Sequence, residues 1–228
     1  MSCYLFAAIG AQGYCVSSDP VHQRREYDQS QLRRAQLSED PLQQFERWLD
    51  DAVQANLLDA TAMALATADA NGRPTNRMVL LKGFSAAGFV WYTDYRSRKG
   101  SDLEVNAQGA LLFYWRELER QVRIVGTVQK LSRAESEAYF RRRPQESQVA
   151  AAASHQSAQV AARDVLEQRV LALAARYPDG DVPLPTDWGG YRLRAEEYEF
   201  WQGRVGRLHD RFSYTRVVDR WQIQRLQP

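Results

Sequence analysis

Arg77-Met78-Val79-Leu80-Leu81-Lys82 is followed closely by Gly88-Phe89-Val90-Trp91-Tyr92-Thr93, and an Asn71-Gly72 pair precedes both. Asn-Gly between two apolar runs is a strong short-range hairpin signal, because both residues accept positive φ at little cost. Period-two reading puts Arg77, Val79 and Leu81 on one face and Met78, Leu80 and Lys82 on the other. A cation on each face of an otherwise apolar strand is unusual for a half-buried strand. The chain has three lysines, and two of them, Lys82 and Lys99, lie in or just after these runs. Ser97 is placed to cap a following helix, with Arg98 and Lys99 in its first turn. Cations there oppose the helix dipole unless an anion also sits at the helix start. A solvated basic turn is the competing reading.

Working outward, strands are expected at 62–68, 75–84, 89–93, 110–115 and 120–131, with a short helix at 101–106. Asp40-Pro41 opens a helix, since Asp caps and Pro fits the first turn. Leu42, Phe45, Leu49, Ala52 and Val53 then recur at helical spacing. Ser132-x-x-Glu135 is a capping box for a helix to about Arg142, stopped by Pro144. A further helix is expected at 158–176, with Val165, Leu166, Val170, Leu173 and Ala174 as its apolar stripe. The tail returns to strands at 190–194, 197–201, 212–217 and 221–226. Strand clusters flanking a block of helices imply an α+β fold, its strands closing into one small barrel. Residues 1–20 read as a poorly ordered arm, and 21–228 as one domain.

The 228 residues carry 30 basic and 28 acidic side chains, so no polyelectrolyte signal points to nucleic acid. Cys3 and Cys15 are the only cysteines, which indicates neither a disulfide framework nor a metal site. The apolar patch at the start lacks a basic flank and is too short to span a bilayer. A cytoplasmic protein without membrane association is the default expectation.

Trp201 to Phe212 packs an indole, an imidazole, a carboxylate and several guanidiniums around two glycines. Such a stretch suits a loop that closes over an anionic, aromatic ligand, because Arg offers forked donors and Trp a flat wall. His209 has Arg207 and Arg211 on either side, which favours its neutral form. Tyr139, Arg143 and Ser147 recur at four-residue intervals and can offer donors to a second anion. A solvated helix end accounts for the arginines at 141–143 equally well.

Together these segments resemble the pyridoxine (pyridoxamine) 5′-phosphate oxidase family. The resemblance runs from about Arg24 to the C-terminus. It includes Arg24-Arg25-Glu26-Tyr27, Arg77 to Lys82, Ser97-Arg98-Lys99, Leu118-Glu119-Arg120-Gln121-Val122, Gln156-Ser157, Trp188-Gly189-Gly190 and Arg207-Leu208-His209-Asp210-Arg211-Phe212. It implies an FMN-binding split β-barrel that forms a homodimer with FMN at the subunit interface. It also implies oxidation of pyridoxine 5′-phosphate or pyridoxamine 5′-phosphate by dioxygen, with hydride passing from C4′ to flavin N5. The implied FMN contacts are Arg77, Met78, Val79, Leu80, Leu81, Lys82, Tyr92, Thr93, Ser97, Arg98, Lys99, Gln121, Gln156, Ser157, Trp201 and Arg211. The implied substrate contacts are Arg24, Tyr27, Lys82, Tyr139, Arg143, Ser147, Arg207 and His209. Arg207 and His209 are the implied catalytic pair, and no metal is implied. The run Ala150-Ala151-Ala152-Ala153 departs from the family pattern beside the flavin. A flavin reductase and a non-catalytic flavin- or pyridoxal-phosphate-binding protein on the same barrel are the rival readings.

Overall fold

The computed structural model describes residues 25–228, so Arg24 and the expected arm at 1–20 lie outside the described residues. After a 3-10 turn at Arg34–Gln36, the chain forms helix α1 (Pro41–Gln54). Strands β1 (Ala62–Ala68), β2 (Pro74–Leu80), β3 (Gly83–Ser85) and β4 (Gly88–Asp94) follow, then helix α2 (Arg98–Val105). Strands β5 (Gln108–Trp115) and β6 (Arg120–Lys130) lead to helices α3 (Arg133–Arg141), α4 (Gln145–Ala153) and α5 (Arg163–Arg176). Strands β7 (Trp188–Gln202), β8 (Asp210–Val217) and β9 (Arg220–Leu226) complete the described chain.

All nine described strands join one antiparallel sheet in the order β2-β1-β5-β6-β7-β4-β3, with β8 and β9 added beside β7. The sheet curls around α1 into a split barrel. Asp40 caps α1 by accepting from the Leu42 amide at 2.9 Å. The stripe Phe45, Trp48, Leu49 and Ala52 is buried in the concave face. Phe45 sits edge-on to Phe84, Phe89 and Phe113 at 5.2, 5.0 and 4.9 Å between ring centres. Burying one such side chain stabilises the fold by about 1.5–3 kcal/mol.

Strand β7 controls the architecture. β6 runs along one side of it, while on the other side β4 pairs with its first half and β8 with its second. The change of neighbour coincides with a bulge: Val125 faces Glu197 but Gly126 faces Ala195, leaving Glu196 unmatched. The two strands expected at 190–194 and 197–201 are therefore one bent strand.

Other boundaries also moved. The strand expected at 75–84 breaks after Leu80, where the Leu81 amide bonds Thr61 and the Lys82 amide bonds Val90. The β1–β2 turn is longer than a two-residue hairpin, and the Asp69 carboxylate accepts from the Asn71 and Arg73 amides. α2 starts at Arg98, earlier than the expected 101, because Ser97 caps it. α5 starts at Arg163, later than the expected 158. Its Val170, Leu173 and Ala174 pack on a second core of Phe140, Val149, Val182 and Trp188. α4 was not anticipated: Pro144 stops α3 but stands at the N-cap of the next helix. Among the described residues, no helix is long and apolar enough to cross a membrane.

Candidate active site

A cleft of about 1040 Å³ lies between β2, the end of β4, the start of α2, and the α3–α4 block. Of the residues implied by the resemblance, Arg77, Met78, Val79, Leu80, Lys82, Tyr92, Thr93, Arg98, Lys99, Tyr139, Arg143, Ser147, Gln156 and Ser157 line it. Ser97 and Leu81 do not. Ser97 is fully buried, donates to the Asp94 carbonyl and caps α2, while Leu81 is buried in the core. Each holds its neighbours in place without presenting a side chain to the cleft.

One end of the cleft is cationic. Arg77 donates to the Leu65 carbonyl at 3.0 Å, to Thr67 Oγ1 at 2.8 Å and to Thr75 Oγ1. Burial pushes its guanidinium below the ordinary value, Asp102 raises it, and nearby Arg98 lowers it again. Lys99 Nζ donates to Thr93 Oγ1, Ser97 Oγ and Gln156 Oε1 at 3.1, 3.1 and 2.7 Å. Burial lowers its pKa to about 8, assisted by the Arg77 charge. The Arg98 amide donates to Ser157 Oγ at 3.2 Å, and Ser157 adopts a left-handed φ of 71°. Three cations thus crowd one partly desolvated corner at the start of α2, an arrangement that an anion would relieve.

The other end is an aromatic shelf. Tyr92 and Tyr139 stack at 3.8 Å, and Tyr92 stacks on Trp188 at 5.5 Å. The Arg143 guanidinium lies 4.7 Å from the Trp188 ring centre. Burial pushes Arg143 below its ordinary value, and its Nη1 is buried with no hydrogen-bond partner among the described residues. A buried, unpaired cationic donor facing a cleft is a second anion-binding feature. Tyr139 and Arg143 do not share a continuous helix, since α3 ends at Arg141, yet both reach the cleft.

The remaining candidates form a separate cluster. Tyr27, Trp201 and His209 meet with ring centres 5.7, 5.4 and 4.6 Å apart. Arg207 lies 5.8 Å from the Tyr27 ring centre. Gly203 admits Tyr27, because a Cβ there would stand 2.7 Å from the tyrosine ring. The chain just after Arg24 is held by buried Glu119, which accepts from Arg25 Nη2 and the Gln29 amide, both at 3.1 Å. Gln121 pairs with Trp201 across β6 and β7, and Trp201 with Arg211 across β7 and β8. Arg211 donates to Glu199 at 2.7 Å and to the Gln227 carbonyl at 2.8 Å. Burial first, then Arg207 and Arg211, pushes the His209 imidazole below its ordinary value. Its Nδ1 accepts from the Arg204 amide at 3.2 Å, consistent with the neutral form. Flanking charge was the reason read from sequence, and burial proves the larger one.

None of Tyr27, Gln121, Trp201, Arg207, His209 or Arg211 lines the cleft. Trp188 in the cleft and Trp201 in the second cluster lie at opposite ends of β7, about 40 Å of strand apart. Sequence reasoning assigned no role to Trp188, Asp94, Asp102 or Arg142. Asp102 had a legible signal, since it stands four residues after Arg98 and the two pair at 2.8 Å.

Residues 49–177 match the family model described as pyridoxamine 5′-phosphate oxidase. Residues 188–228 match that of the pyridoxine 5′-phosphate oxidase C-terminal dimerisation region. The chain is 51% identical over 210 residues to a pyridoxine/pyridoxamine 5′-phosphate oxidase of Proteus mirabilis, covering 92% of this chain and 97% of the relative. It is 50% identical to that of Vibrio atlanticus, covering 90% and 97%. Among solved structures, PhzG from Burkholderia lata in complex with tetrahydrophenazine-1-carboxylic acid superposes with a TM-score of 0.81 at 32% identity, covering 85% of this chain and 95% of that one. A pyridoxamine 5′-phosphate oxidase-related, FMN-binding protein of Nostoc punctiforme shares the fold, with a TM-score of 0.67 at 18% identity over 84% of this chain and 100% of that one. This chain belongs to the pyridoxamine 5′-phosphate oxidase family.

Proposed function

We propose that this protein is an FMN-dependent oxidase that converts pyridoxine 5′-phosphate and pyridoxamine 5′-phosphate to pyridoxal 5′-phosphate, with dioxygen as final acceptor. The observation that carries the reading is a cleft with anion-binding chemistry at two ends. Its volume is at the upper end of that of small-molecule sites, as two ligands sharing it require. Arg77, Arg98, Lys99 and Ser157 fit the flavin phosphate. Arg143, Tyr139, Ser147 and Lys82 fit the substrate phosphate. When bound, FMN supplies the two-electron acceptor and its reoxidation by dioxygen, while the protein binds, orients and tunes.

The protein's own part is positional and electrostatic. The aromatic shelf of Tyr92, Tyr139 and Trp188 holds Arg143 so that its free Nη1 meets an oxyanion. Neutral His209 can both accept and donate to ring substituents. Exposed Arg207 can favour the negative charge that develops as the substrate gives up its proton. Neither lines the cleft of its own chain, so in this reading the last two come from a second copy. An apolar face for that copy is present: Met78 and Leu112 both pair with Ala64, and both stay exposed with Leu80 and Tyr114. Met78 and Leu80 also line the cleft, so a partner seated there would border it.

Arg98→Ala should weaken FMN binding by roughly 10- to 150-fold, the worth of one charge-assisted hydrogen bond of about 1.5–3 kcal/mol. Unchanged affinity in a flavin titration would remove Arg98 from the site. Lys99 adds a pH dependence. Its pKa in the free protein is about 8, and a phosphate beside it raises that value. Above pH 8 the complex therefore holds a proton that the free protein lacks. Affinity is fully present below about pH 8 and falls as pH rises through it, by up to about tenfold per unit. Lys99→Met should flatten this slope in the same titration, and a slope that persists would assign it to another group.

A further inference from the structure

We infer that Asp102 is a positioning residue for the cofactor phosphate: it fixes Arg77 and Arg98 at the separation that grips one phosphate. The inference rests on the reading that those two arginines meet the flavin phosphate.

Asp102 lies on α2 and is only 2% exposed. Its carboxylate is fully used. Oδ2 accepts from Thr67 Oγ1 at 2.7 Å and from Thr75 Oγ1 at 2.8 Å, and Oδ1 accepts from Arg98 Nε at 2.8 Å. Arg77 Nη2 stands 3.8 Å from Oδ2 and donates to the same Thr75 hydroxyl. Thr67 also accepts from Arg77 Nη1. One carboxylate thereby joins β1, β2 and α2 and holds both guanidiniums. Burial opposes its ionisation, but the bonds from Thr67, Thr75 and Arg98 outweigh burial and keep its pKa below the ordinary carboxylate value. Arg98 has a second tether, Asp69 at the β1–β2 turn, 3.2 Å from Nη2.

Two physical effects oppose one another here. A carboxylate near an anion site repels the anion, so removing its charge would tighten FMN binding. A carboxylate that orders two long side chains removes their rotamer entropy before the ligand arrives, so losing it would weaken binding. The geometry favours the second. Asp102 is enclosed, and the two guanidiniums that flank it largely cancel its field at a distance. An amide would also set a donor at one of the two oxygen positions, either against the Arg98 Nε–H or against the Thr67 and Thr75 hydroxyls, so part of this bonding pattern must change.

The test is titration of the full-length protein, stripped of flavin, with FMN and with riboflavin, which lacks the phosphate. Flavin fluorescence reports binding. Asp102→Asn should weaken FMN binding about tenfold or more and leave riboflavin binding unchanged. FMN binding that is unchanged or tighter in Asp102→Asn would overturn the inference, as would an equal loss for both flavins, which marks general loosening. Arg98→Ala, run in parallel, separates the two levels: if its ratio of FMN to riboflavin affinity equals that of the wild type, the phosphate reading itself fails. Should Asp102→Asn lack a cooperative melt, Thr67→Val carries the test, with a smaller loss in the same direction expected. A Thr67→Val protein with the wild-type ratio would overturn it.

Discussion

Arg207→Ala should lower kcat by roughly 100- to 1000-fold, the loss of about 2.7–4 kcal/mol that follows removal of one preorganised donor. kcat/KM should fall with it, because the interaction strengthens only as charge develops on the substrate. FMN affinity and thermal stability should stay at wild-type values, since Arg207 is exposed, lies outside the cleft and makes no ion pair within 4.0 Å among the described residues. Its backbone is in the left-handed region at φ 63°, directly after Gly206 at φ 67°. Gly206 adopts this conformation freely, whereas Arg207 is strained in it, as residues at functional turns often are. His209→Ala should act mainly on KM, with a smaller effect, because a neutral imidazole holds ring substituents without countering charge. A loop that serves only to fold the barrel makes a different forecast: flavin content, melting temperature and activity would fall together in both variants. Full activity in both would remove the pair from the reaction.

How far the sequence carried this reading depended on whether the signal was local. The Asn71-Gly72 turn, the Asp40-Pro41 start and the Ser132-x-x-Glu135 box were legible because each rests on hydrogen bonds within a few residues. The last two formed as read, the Ser132 hydroxyl and Glu135 carboxylate bonding reciprocally, and at the first the chain turns in a longer loop in which Gly72 alone takes positive φ. β7 reads as two strands because a bulge looks like a gap: the unmatched Glu196 is defined by its partner strand and carries no mark of its own. α4 was missed because Pro144 reads as a stop, whereas whether the chain bends into a new helix depends on the small core of Phe140, Val149 and Trp188. In the site, residue types were legible and their sharing was not. Arg77 looked anomalous on an apolar strand, and the structure gives the reason in Thr67, Thr75 and Asp102, the last of them 25 positions away. That Arg143 and Arg207 lie in different places follows only from the length and curl of β7.

That separation supports a second large effect, restoration of activity by mixing two crippled proteins. Arg143→Ala removes the half-buried cation whose buried Nη1 has no partner among the described residues. It should reduce kcat/KM by roughly 10- to 150-fold or more through loss of a charge-assisted contact to the substrate phosphate. Arg207→Ala damages the other cluster. If each active site combines the cleft of one copy with the Arg207 loop of the next, each pure variant carries one fault in both of its sites. A mixed dimer concentrates the two faults in one site and leaves the other intact. Random exchange makes about half of the dimers mixed, each with one sound site of two, so activity should recover to about one quarter of wild type. Sites contained within one chain allow no such rescue, because every site would keep its fault. Co-expression with two affinity tags isolates the mixed dimer and makes the comparison direct: half the wild-type rate per dimer supports the shared site, and a rate at the level of the pure variants rejects it. Adding a charge to the apolar face with Tyr114→Glu should prevent the rescue. That position is 51% exposed in the single chain and lies outside the cleft, so the substitution costs little in its own packing and acts on association.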